Sequence, residues 1–129
     1  NVKIHGYVNY KKVPSILAKS DVLLLPSAPI QYGRSKSVNI SNYNSPLKMF
    51  DYLAAGKIII SSKLDGICEV LKNRENAILV KKYNLKLWEK ALNDLIKKKY
   101  KMIKLQKNSK ETAKKFTWNN RVKEIILNA

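Results

Sequence analysis

Apolar residues in this chain form two kinds of pattern. Val22-Leu23-Leu24-Leu25 and Ile58-Ile59-Ile60 are unbroken blocks, which suit strands covered on both faces of a parallel sheet. Residues 2–8 and 77–80 read as two further strands. Between the two blocks, Ser45-Pro46-Leu47-Lys48-Met49-Phe50-Asp51-Tyr52-Leu53-Ala54-Ala55-Gly56 reads as a helix with both ends marked. Ser45 is expected as N-cap, Pro46 at the first helical position and Gly56 in the left-handed C-terminal position. Strand, long loop, helix and strand then make a βαβ unit whose loop leaves the carboxyl end of a strand, where open α/β sheets bind ligands. Pro14 opens a short helix to Ser20, and Asp65 or Gly66 another ending near Asn73. Trp88, Ala91, Leu92, Leu95 and Ile96 share one helical face, and Trp118, Val122, Ile125 and Ile126 another, so both tryptophans read as core rather than sugar platforms. The expected fold class is α/β: a Rossmann-like parallel sheet with flanking helices and a helical C-terminal end, in one domain spanning residues 1–129.

The helix at residues 45–56 carries the candidate chemistry. Its first turn offers free backbone N–H groups backed by the positive end of the helix dipole, a ready anion site. Lys48 places a cation where a helix start ordinarily favours an acid, which an anionic ligand such as a diphosphate explains better than helix stability does. Asp51 lies one turn on, on the same face, within reach of a ribose hydroxyl pair; the alternative is a Lys48–Asp51 surface pair worth at most about 0.5 kcal/mol. Gly6, at the carboxyl end of the first strand, either lets a flat ligand approach the backbone at Gly6-Tyr7-Val8 or simply makes a turn. Residues 27–44 form a long irregular stretch rich in Ser and Asn, with Arg34 and Lys36, read as a functional cover or as mobility without a role.

These segments resemble the group 1 (family 4) glycosyltransferases of the GT-B fold. The signature is Ser45-Pro46-Leu47-Lys48-Met49-Phe50-Asp51-Tyr52-Leu53-Ala54-Ala55-Gly56-Lys57, preceded by Leu23-Leu24-Leu25-Pro26-Ser27 and followed by Ile58-Ile59-Ile60-Ser61-Ser62. Residues 2–8 resemble the strand-Gly segment that closes on the nucleotide base, Asn76-Ala77-Ile78-Leu79-Val80 the last strand, and Phe116-Thr117-Trp118-Asn119-Asn120-Arg121 the terminal helix. The resemblance implies the donor-binding half of a retaining transferase acting on a nucleoside diphosphate sugar. The diphosphate would lie at Ser45, Pro46, Leu47 and Lys48, the ribose at Asp51, the base at Gly6, Tyr7 and Val8, and the sugar or its lid at Tyr43 and Asn44. No metal site and no cofactor are expected, because helix dipole and cations would meet the diphosphate charge. The catalytic residue stays unassigned. A glycan or lipid-linked acceptor and surface-polysaccharide assembly complete the implied role.

Two features depart from the family pattern. Tyr43 stands where many members have the first of two glutamates, and Asp51 is a shorter acid at the second. The resemblance also implies an acceptor domain and two strands ahead of residues 21–26 that have no counterpart here, and Asn1 opens a strand-like run without an initiating Met, as expected of a piece of a longer protein. The first strand is therefore expected on an abnormal sheet edge, or completed by strands from a second copy in a homo-oligomer.

Charge adds a further partner class. Lys and Arg number 26 against 9 acids, a formal net charge of +17, and only Arg34, Arg74 and Arg121 are arginines. Lysine on solvent faces favours peripheral contact with an anionic membrane over specific nucleic-acid readout, which favours arginine. The alternatives are a basic α/β binding module for nucleic acid or membrane, and a nucleotide-sugar epimerase of the same fold. No stretch approaches the roughly 18 to 20 apolar residues of a bilayer span. Cys68 is the single cysteine, read as a packed helix residue in a cytoplasmic, reducing setting, with the protein peripheral at the inner membrane face. His5, without a second ligand candidate nearby, reads as a packed strand residue.

Overall fold

A computed structural model describes residues 2–28, 45–81, 84–97 and 102–128. The chain runs through a 3-10 turn at Tyr10–Lys12, then α1 (Val13–Ala18), β1 (Val22–Leu25), α2 (Lys48–Ala55), β2 (Ile58–Ser62), α3 (Asp65–Cys68), β3 (Ile78–Val80), α4 (Leu85–Lys97), α5 (Met102–Lys115) and α6 (Trp118–Leu127). The strands pair in parallel in the order β1-β2-β3, with Val22 opposite Ile58 and Ile60 opposite Ile78.

Every residue of the central strand β2 is buried, as an unbroken apolar block in a parallel sheet requires. The pleat sends alternate side chains to opposite faces. Ile59 meets Met49 and Leu53 of α2 and Ile67 of α3, whereas Ile58 and Ile60 meet Leu95 of α4 and Leu105 of α5, with Trp88, Ala91 and Leu92 beside them. The result is three layers, helix on sheet on helix. Buried Asn76 closes the turn before β3: its amide nitrogen donates to the Val70 carbonyl at 3.1 Å and Thr112 Oγ1 at 3.0 Å, and its oxygen accepts from the Lys72 amide at 2.7 Å. Gly56 ends α2 at φ 62°, ψ 34°, as expected, and the Lys110 stem lies directly over it.

Several expectations are corrected. Residues 2–8 form no strand and pair with no described residue; Val2 and Ile4 are each 90% exposed, and His5 is exposed rather than packed. Sequence alternation marks a strand's faces but supplies no neighbour, and β1 is itself at the sheet margin among the described residues. The edge position expected for residues 2–8 is not realised in the sheet of described strands. Ser45 does not cap α2: the helix starts at Lys48 with Leu47 in the N-cap position and no side-chain cap. The turn before it is tight, with the Met49 and Phe50 amides donating to the Pro46 and Leu47 carbonyls at 2.9 and 3.0 Å. The helix opening at Asp65 is shorter than expected, Asp65–Cys68. Ile96 is exposed, and the whole apolar face of α6 lies open, with Trp118 85% exposed. Helical spacing identifies an apolar face; whether anything covers it depends on the tertiary fold.

Candidate functional site

The polar groups singled out in sequence gather at the start of α2. After the tight turn uses the Met49 and Phe50 amides, those of Leu47 and Lys48 donate to no other described residue, and they are the groups left to meet an anion. The Leu47 and Lys48 side chains are exposed and Pro46 is half-buried. Met49 and Leu53, buried at the interval of one helical turn, fix which side of α2 faces the sheet and so leave this end presented outward. Behind it the strand ends are stitched together: the Ser27 amide donates to Ser62 Oγ at 2.9 Å, and the Lys63 amide to the Val80 carbonyl at 2.9 Å.

Asp51 is half-buried and forms no ion pair with Lys48 among the described residues. Its partner is Tyr10, whose hydroxyl donates to Asp51 Oδ1 at 2.9 Å across 41 positions of sequence. Sequence reading missed Tyr10, because a contact that long carries no periodic signal. The hydrogen bond to Asp51, followed by the carboxylate's charge, raises the Tyr10 phenol above its ordinary value. Burial first, and the same charge second, raises Tyr52. The other candidates are less well assembled. Gly6 has open space on its Cβ side, Tyr7 is 97% exposed and Val8 is half-buried, and the turn that follows them is joined to α2 by the Tyr10–Asp51 hydrogen bond. Tyr43, Asn44, Arg34 and Lys36 lie outside the described residues.

Among the described residues no group of three or more His, Cys, Asp or Glu gathers as a metal site, and no helix is long and apolar enough to cross a membrane. An apolar recess of about 220 Å³ opens between Leu24 and Pro26 at the end of β1 and Leu85, Trp88 and Leu92 of α4. A larger one, about 690 Å³, lies between β3, α4 and α5, and none of its lining comes from α2.

The family profile described as "Glycosyl transferases group 1" matches residues 1–116. The chain belongs to this family. No curated protein sequence gives a significant match. Among solved structures, HepE of Anabaena in complex with UDP-glucose is similar, with a TM-score of 0.66 and 19% identity over 91% of this chain and 30% of that one. HepE in complex with UDP matches with a TM-score of 0.64 and 17% identity, over the same shares of the two chains. The likeness shows a shared fold, a parallel sheet between helices of the GT-B type. This group 1 chain spans under a third of the length of those HepE chains.

Proposed function

We propose that this chain is the donor-binding part of a retaining glycosyltransferase that takes a uridine diphosphate sugar. The observation that carries the reading is the start of α2. Two amides without described partners and the exposed Lys48 sit one turn from the Asp51 carboxylate, an anion site beside an acceptor for ligand hydroxyls, the two kinds of group a nucleoside diphosphate requires. The family match and the uridine nucleotides held by the similar HepE structures support the choice of donor. Helix amides and Lys48 would offset the diphosphate charge without a metal ion. Gly6, Tyr7 and Val8 would close on the base when the ligand is present. Transfer itself would need the acceptor-binding portion, so the single domain of residues 1–129 alone would bind donor without transferring sugar. The acceptor would be a glycan or lipid-linked glycan in surface-polysaccharide assembly, reached from the cytoplasmic face of the membrane, and a second copy could complete the sheet beside β1.

Titration of the chain with UDP, GDP, ADP and inorganic diphosphate, at low and high salt, tests the reading. The expected outcome is preference for UDP, reduced roughly tenfold by Asp51→Ala through loss of a charged hydrogen-bond acceptor. Equal binding of all four ligands, erased by salt and indifferent to Asp51, would show that only lysine charge is acting.

A further inference from the structure

The Tyr10–Asp51 hydrogen bond links two segments that donor binding would use together. Tyr10 begins the turn that follows Gly6-Tyr7-Val8 after the single residue Asn9. That turn is fixed by its own bonds: Asn9 Oδ1 accepts from the Lys11 amide at 3.0 Å, and the Asn9 carbonyl accepts from the Lys12 amide at 2.9 Å. The phenol is thus delivered to α2 from an ordered base. Asp51 Oδ1 receives it at 2.9 Å, and among the described residues Oδ2 has no donor, leaving it to accept from a ligand. An otherwise rotatable carboxylate on the helix surface is held in one orientation before any nucleotide arrives, which lowers the ordering cost of binding.

We infer that Tyr10 is a positioning residue that orients the Asp51 carboxylate toward the ribose hydroxyls of the donor nucleotide. The inference rests on the donor-site reading above. Tyr10 acts through Asp51 and touches neither the diphosphate nor the reacting sugar. Its phenol, ordinarily titrating at 10.0, carries its proton at neutral pH, and the hydrogen bond to Asp51 moves it further from ionisation, so the hydrogen-bond donor is present. The contact also ties the end of the base segment to the ribose acid, so that base and ribose recognition share one support.

The test is a double-mutant cycle on the chain, with Tyr10→Phe, Asp51→Ala and the pair titrated against UDP and inorganic diphosphate. Tyr10→Phe removes only the hydroxyl of a side chain in a residue 69% exposed, and a thermal melt checks that the fold is kept. The expected results are a roughly three- to tenfold loss of UDP affinity, unchanged diphosphate affinity, and no further loss when Tyr10→Phe is added to Asp51→Ala. UDP affinity that is unchanged or tighter in Tyr10→Phe overturns the inference. So does an equal loss in both backgrounds, or a parallel loss of diphosphate binding, either of which marks a general structural role. If wild type shows no preference for UDP over diphosphate and Asp51→Ala changes nothing, the donor-site reading falls and this inference with it. Retained sensitivity to Asp51 without sensitivity to Tyr10 removes the inference alone.

Discussion

Tyr10 and Tyr52 keep their protons beyond the ordinary phenol range for different reasons, and Asp51 contributes to both. For an acid whose folded-state pKa is raised, the folded chain holds the proton more tightly than the unfolded one. The resulting stability is complete below 10.0, the ordinary phenol value, and is lost as pH rises through the raised folded-state values. NMR titration of the tyrosine rings should show both ionising above 10.0, with Asp51→Asn returning Tyr10 toward that value. Tyr52 should keep the part of its shift that burial causes. A Tyr10 titration unmoved by Asp51→Asn would mean that the hydrogen bond is not made in solution. Of this cluster, Asp51 and Lys48 were legible in sequence because helical spacing places them one turn apart. Tyr10 was not, since its approach depends on how α1 packs against α2.

At the level of elements, burial separates two apolar segments that both read as core in sequence. Ile60 in β2 is fully buried between β1, β3 and the α4–α5 layer, so Ile60→Ala should cost about 2 to 5 kcal/mol. Trp118 opens a helix whose apolar residues share one face but is 85% exposed, and Trp118→Ala should stay within about 0.5 kcal/mol. Urea unfolding of both variants checks the contrast; a multi-kilocalorie loss at Trp118 would mean that α6 docks in solution. The α2 boundaries show the same limit from the other side. Gly56 was readable as a terminator because its left-handed backbone is a local property. Ser45 suits a cap by residue type, yet the tight turn at Pro46 and Leu47 moves the cap and the helix start two residues later. Cap identity depends on backbone geometry that residue type does not determine.

For the whole molecule, the net charge of +17 acts at longer range than any single site. Part of it lies on α5, where Lys104, Lys107, Lys114 and Lys115 are exposed and Lys110 is exposed beyond the stem that covers Gly56; Glu111 pairs with Lys114 at 2.8 Å and also feels the charge of Lys107. Each lysine near an anionic bilayer contributes about 1 kcal/mol, so co-sedimentation with phosphatidylserine vesicles should be strong at low salt and fall steeply as salt rises. Vesicles of neutral lipid should leave the chain in the supernatant. Equal retention by both would point to the open apolar face of α6 instead of charge.

Residue order alone was enough for the α/β class, the parallel βαβ unit, the α2 terminator and the residue types at the candidate donor site. These follow from hydrophobic period and from backbone preferences that act within a few residues. Chain packing was needed to show that residues 2–8 lie unpaired among the described strands, that Trp88 is half-buried against the sheet while Trp118 is exposed, and that Tyr10 holds Asp51. Each depends on which distant segment supplies the neighbour, and local periodicity contains no information about that partner.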